Sequence, residues 1–131
     1  EEVMQVNVNA QFMMTQALLP VLAASKNGSL VFTSSSVGRK GRAFWGAYSV
    51  SKFATEAMMQ ILADEEYDLN GTRVNSINPG ATNTEMRRSA YPGENPTDNP
   101  SPEAIMPLYL YLMSDDSREV NGQQFDAQPK D

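Results

Sequence analysis

Tyr48 and Lys52 stand four residues apart at the start of a helical stretch. That spacing puts both side chains on one helix face, one turn apart. A free tyrosine, with a pKa of about 10, is a poor acid–base catalyst at neutral pH. A fixed ammonium beside it favours the phenolate. Moving the pKa down by about three units takes roughly 4 kcal/mol of differential stabilisation. A lysine, a helix N-terminus and a bound cationic ring can share that task. The tyrosine could then give a proton to a substrate oxygen or take one from it. Alone the pair says little, because Tyr-x-x-x-Lys arises by chance in about one chain in three or four of this length.

Its company is more informative. Ser34, Ser35 and Ser36 end a short apolar, β-rich run that begins at Ser29. Pro79-Gly80, followed by Thr82 and Thr84, ends a second run, Arg73 to Asn78. In open α/β sheets ligands bind just beyond the carboxyl ends of the strands. Any of the three serines there could hydrogen-bond a substrate carbonyl or hydroxyl. Backbone N–H groups and hydroxyls after Pro79 could contact a cofactor amide or phosphate. The plainer readings are a serine-rich strand exit and an ordinary strand-ending turn.

The elements that would hold these residues can be read from periodicity. Val3, Val6, Ala10, Met13 or Met14, Ala17, Leu18 and Val21 form an apolar stripe, predicting a helix over about residues 2–24 with Pro20 near its end. Asn27-Gly28 supplies a turn. Val50, Phe53, Ala54, Ala57, Met58, Ile61 and Leu62 predict a second helix over about 47–69, with Tyr48 and Lys52 along the edge of its apolar side. Pro92, Gly93, Pro96, Pro100 and Pro102 predict an exposed loop or lid, and a flexible substrate loop is expected over about 85–102. Ser101-Pro102-Glu103 reads as a helix start continuing to Met113, and Gln123-Gln124-Phe125 as a last short strand. Helix and strand alternate, so the fold class is α/β, a parallel sheet covered by helices. Three strands and half the usual helices predict a piece of a larger fold. The helical pattern also starts at Glu1-Glu2 with no N-cap signal.

Composition removes several function classes. The chain has 131 residues, enough for one domain. It has no cysteine and no histidine, which excludes disulfides, thiol nucleophiles, histidine triads and most transition-metal sites. The formal net charge of −6 argues against a nucleic-acid partner. No apolar run is long enough to cross a bilayer. Asp64-Glu65-Glu66 and Asp115-Asp116 read as solvated helix faces and ends, so no metal site is expected. A soluble, cytoplasmic protein is the expectation.

The stretches Val6-Asn7-Val8-Asn9-Ala10, Gly28 to Ser35, Tyr48-Ser49-Val50-Ser51-Lys52 and Val74 to Thr84 together resemble the short-chain dehydrogenase/reductase superfamily. Their order, spacing and strand–helix context all match, over essentially the whole chain. Residues 33–52 and the tail Phe125-Asp126-Ala127-Gln128-Pro129 look like the YciK-type oxidoreductase branch. The resemblance implies a Rossmann-like doubly wound parallel sheet, of which residues 1–131 are expected to be the carboxyl-terminal, catalytic half. It implies hydride transfer between NAD or NADP and a small carbonyl or alcohol substrate. Tyr48 would be the general acid/base, and Lys52 would assist it and hold the nicotinamide ribose. Ser35, thirteen residues before the tyrosine, would orient the reacting oxygen. Asn7 would hold a relay water through its backbone. Pro79, Gly80, Thr82 and Thr84 would line the nicotinamide end of the cofactor. Homo-oligomers through helices 2–24 and 47–69 are also implied. The Gly-rich pyrophosphate motif, and the residue that separates NAD from NADP, are not found in this chain. A second reading makes the chain a non-catalytic binding or dimerisation module. A third makes it an isomerase or lyase using the same Tyr–Lys pair.

Overall fold

The computed structural model describes residues 1–129. Two β-rich runs and a short third one form a parallel sheet. The strands are β1 (Ser29–Thr33), β2 (Arg73–Asn78) and β3 (Gln124–Asp126), in the order β1-β2-β3. Ser29 lies opposite Arg73 and Thr33 opposite Ile77; Ser76 lies opposite Gln124 and Asn78 opposite Asp126. Parallel strands need crossovers, and helices supply them here. The helix α3 (Gly46–Asn70) connects β1 to β2, and α5 (Pro102–Met113) lies between β2 and β3 in the chain. Side chains alternate across a strand. Phe32 and Val74 therefore meet Met59 and Ala63 of α3 in the apolar core. The other face turns to α5: Ser29 Oγ donates to the Leu112 carbonyl at 2.7 Å, and the Thr33 and Tyr109 hydroxyls lie 3.2 Å apart. Helices on both faces of a parallel sheet make this an α/β, Rossmann-like partial fold.

The first helix is continuous but not uniform. It runs as α1 (Glu2–Met4), a π-helical segment Gln5–Ala10, and α2 (Gln11–Ala24) with Pro20 inside it. Its contact with α3 is a polar seam. Asn7 Nδ2 donates to Ser51 Oγ at 3.2 Å, Thr55 Oγ1 donates to Gln11 Oε1 at 3.1 Å, and Thr15 is buried. The apolar stripe turns elsewhere: Val6, Met13, Met14, Leu18 and Val21 are exposed.

Helix α3 is rotated relative to its sequence pattern in the same sense. Val50, Phe53 and Ile61, expected on the packed side, are exposed. The buried face carries Ser49, Ser51, Lys52, Thr55, Glu56, Met59 and Ala63. Lys52 thus belongs to the side that meets the sheet, and Tyr48, one turn before it, is half-buried. The polar face can be buried because hydrogen bonds meet its groups, beginning with Ser49 Oγ to the Val37 carbonyl at 2.6 Å.

The segment expected as a flexible substrate loop holds short helical elements. A short helix, α4 (Glu85–Ala90), is capped by Thr84, and a 3-10 turn covers Pro96–Asp98. Arg87 pairs with Glu94 through two nitrogens, at 3.0 and 2.9 Å, and lies 3.7 Å above the Tyr91 ring.

Candidate active site

The site is assembled at the carboxyl ends of β1 and β2, where α3 begins. Lys52 is 8% exposed, and its Nζ donates to the Thr33 carbonyl at 3.1 Å. That bond fixes the ammonium at the end of β1. The same nitrogen lies 5.6 Å from the centroid of the half-buried Tyr48 ring. Burial pushes the Lys52 pKa down from its ordinary value, and the negative charge of Glu56 opposes that. Trp45, one turn before Tyr48, stands with its ring centroid 5.9 Å from the Tyr48 ring.

Ser35 has an extended backbone and caps the 3-10 turn Ser36–Gly38, its Oγ accepting from the Val37 N–H at 3.4 Å. Ser34 Oγ is buried and has no hydrogen-bond partner among the described residues. Gly38 seats this turn against α3. A Cβ on it would stand 2.8 Å from the Lys52 carbonyl oxygen, closer than side-chain atoms pack. Glycine is required there by close approach of backbone to backbone.

Asn7 lies inside the π-helical segment, and its amide reaches Ser51 Oγ, which in turn donates to the Tyr48 carbonyl at 2.6 Å. Asn9 instead donates to Gln5 on the exposed side. The structure therefore connects Asn7, and not Asn9, to the helix that bears the tyrosine. Single π turns are rare and often sit at functional sites.

Pro79, Gly80, Thr82 and Thr84 follow β2 at the same sheet edge. Their hydrogen bonds are among themselves and with neighbours, and none goes to Tyr48 or Lys52. Thr82 Oγ1 donates to the Gly80 carbonyl at 3.1 Å, and Thr84 Oγ1 accepts from the Arg87 N–H at 3.1 Å. Gln128 Nε2 holds the turn, donating to the Pro79 carbonyl at 2.9 Å and the Ala81 carbonyl at 2.7 Å. Gly80 has φ 75°, in the left-handed region, and leaves room for that amide. Neither Gly38 nor Gln128 was read as a site residue from the sequence. Gly38 could be found from its position three residues after Ser35, whereas Gln128 figured only in the tail that resembles the YciK-type branch, with no local signal for its bonds to the Pro79 turn.

The donors present suit the nicotinamide ribose end of a dinucleotide. An ammonium has three donors, and among the described residues Lys52 uses one of them, so two can meet ribose hydroxyls. The described residues hold no group of three or more His, Cys, Asp or Glu side chains that could bind a metal ion. Among the described residues no helix is long and apolar enough to cross a membrane.

Sheet, crossover helices and a Tyr–Lys pair at the strand ends together define a Rossmann-like α/β architecture. The chain belongs to the short chain dehydrogenase family, whose model matches residues 1–95. It is 66% identical over 129 residues to the uncharacterized oxidoreductase YciK of Escherichia coli strain K12, an alignment covering 98% of this chain and 50% of that protein. It is 31% identical to the 3-oxoacyl-[acyl-carrier-protein] reductase FabG of Thermotoga maritima, covering 94% of this chain and 53% of that protein. Among solved structures, a short chain dehydrogenase of Escherichia coli CFT073 complexed with NADPH superposes with a TM-score of 0.91 at 67% identity. The match covers 96% of this chain and 52% of that one. The chain thus spans about half the length of the curated relatives it matches.

Proposed function

We propose that residues 1–131 form the catalytic, carboxyl-terminal half of an NAD(P)-dependent oxidoreductase that interconverts a small carbonyl compound and its alcohol. The observation that carries this reading is the Lys52 ammonium, fixed to the Thr33 carbonyl at 3.1 Å and set 5.6 Å from the Tyr48 ring. Tyr48 donates a proton to the substrate oxygen in reduction and takes it back in oxidation. The ammonium, itself buried, stabilises the phenolate left behind. Ser35 orients the substrate oxygen from the turn that Gly38 packs against Lys52. Lys52 and the Pro79–Thr84 turn, braced by Gln128, hold the nicotinamide end. The bound cofactor supplies or accepts the hydride. Relatives solved with NADPH and with NADP, both at 67% identity, support this assignment. The exposed apolar side chains of α2 and α3 support self-association through those helices, measurable as mass in sedimentation.

The test is Tyr48→Phe in the full-length protein, assayed by NADPH consumption with a panel of small aldehydes and ketones. Loss of positioned proton transfer should lower kcat by about 10²–10⁴-fold, with little change in NADPH affinity or melting temperature. Wild-type turnover by this variant would refute the role of Tyr48.

A further inference from the structure

Tyr48, Lys52 and Glu56 recur at one-turn intervals along one face of α3. The third is the residue that the chemistry above leaves unexplained. Glu56 is 3% exposed. A carboxylate is expensive to bury unless both its lone pairs and its charge are met. The lone pairs are met by neutral donors. Ser76 Oγ lies 3.0 and 2.9 Å from the two carboxylate oxygens, and Gln124 Nε2 donates at 2.9 Å. These bonds join the helix to β2 and β3 but leave the charge.

Two cations are near it. Arg39 Nε stands 3.9 Å away and is buried without a hydrogen-bond acceptor among the described residues. Its other nitrogens are committed elsewhere, to Asp126 at 2.9 Å and to the Phe125 carbonyl at 3.1 Å. Arg39 is therefore shared between two carboxylates. The other cation is Lys52, one turn back on the same buried face of α3, whose ammonium donates to the Thr33 carbonyl and makes no direct ion pair with Glu56; from that distance the carboxylate favours its protonated form against the effect of burial. Among the described residues the charged groups around Glu56 are these two and Asp126, reached through Arg39. Arg73, on β2, points through the opposite face to Leu112 and Ser117.

We infer that Glu56 is a positioning residue of the Tyr48–Lys52 pair, its buried carboxylate supplying the negative charge that Lys52 faces along α3 and gathering Arg39 from the turn that follows Ser35. This rests on the reading of Tyr48 and Lys52 given above. A simple cross-brace between helix and sheet would need only the hydrogen bonds, which a glutamine can keep. A charge-setting role needs the carboxylate.

The decisive measurement is the titration of Lys52 in the full-length protein, followed by the NMR shift of its Cε carbon. Glu56→Gln should lower the Lys52 midpoint by about one pH unit or more. Arg39→Met, which removes a competing cation, should raise it. Ser76→Ala, which removes a neutral bond, should leave it in place. Identical titrations of wild type and Glu56→Gln would overturn the inference, as would Arg39→Met moving the midpoint downward. If Glu56→Gln does not fold, Glu56→Asp decides: the shorter side chain draws the charge back from Lys52 and should lower its midpoint, and an unmoved midpoint overturns the inference. The turnover of Tyr48→Phe stands apart from these titrations. An active Tyr48→Phe removes the catalytic reading itself, whereas an inactive one beside an unmoved Lys52 removes only the role of Glu56.

Discussion

Replacing Gly38 by alanine adds one methyl group at the place where the Ser35 turn rests on α3. The added carbon would meet the Lys52 carbonyl oxygen at 2.8 Å, and its carbonyl carbon and Cβ at 2.9 Å. Ordinary contact begins near 3.4 Å, so the two segments must separate by about 0.6 Å, the difference between 3.4 and 2.8 Å. The helix cannot give way easily, since the atoms met are mostly its own backbone. The turn must move instead. Gly38 donates its N–H to the Ser35 carbonyl at 2.9 Å, so the displacement reaches the serine directly. Overpacking of this kind costs about 1–3 kcal/mol. In a domain of 150–250 residues each kcal/mol lowers Tm by about 2–4 °C, which gives a fall of several degrees. A misplacement of about 1 Å can cost 10²-fold in rate, so a shift of this size should lower kcat/KM about tenfold or more. The assay pairs thermal unfolding with NADPH oxidation in the full-length protein. Gly41→Ala is the control, because the nearest atom to its added carbon is Ser49 Oγ at 4.0 Å. Gly38→Ala with the stability and kcat/KM of Gly41→Ala would refute the argument that close packing sets Ser35.

Two further perturbations test the neighbouring elements. Gln128→Ala removes both bonds that hold the Pro79 and Ala81 carbonyls, each worth about 0.5–1.5 kcal/mol. The KM for NADPH should rise severalfold while kcat changes little; an unchanged KM would detach that turn from the cofactor. The Arg87–Glu94 pair predicts a pH window. The Arg87 and Asn99 side chains hold the Glu94 carboxyl down to about 2, against an ordinary 4.5. A depressed carboxylate stabilises the fold above its ordinary pKa and loses that effect as pH falls toward the lowered one. Hydrogen-exchange protection across residues 85–99, taken relative to the intrinsic rate at each pH, should therefore hold at pH 5 and fall between about 4.5 and 2, with Glu94→Gln weakly protected throughout. Equal exchange in the variant and the wild type at pH 5 would show that the pair does not order the segment.

The strands and crossover helices were legible because short β-rich runs with turn residues at their ends leave few alternatives. Arg73–Asn78 and the helix closing at Asn70-Gly71 lie where the pattern puts them. The Tyr–Lys spacing was legible for the same reason, since one helical turn is a local property. What periodicity misjudged was which face of α3 turns inward. Hydrophobic pattern measures the preference of side chains, not the hydrogen bonds available to a polar face, and Ser49, Lys52 and Glu56 are buried because Val37, Thr33 and Ser76 meet them. Those partners are distant in the chain, as Gln128 is from Pro79. No residue type marks a π-helical segment either, so the irregularity around Asn7 had no signature.

That irregular segment has a consequence for how the first helix tolerates change. A π turn is in effect one surplus residue absorbed by a helix without breaking it. Because the wider turn absorbs that residue, removing one residue from Gln5–Ala10 would restore regular winding and leave the helix on either side in phase. Gln11 and Thr15 would keep their places against α3, and the change would be confined to the segment itself, where the alignment of Asn7 with Ser51 is set. A further residue added there has no such slack and would turn everything upstream by about 100°.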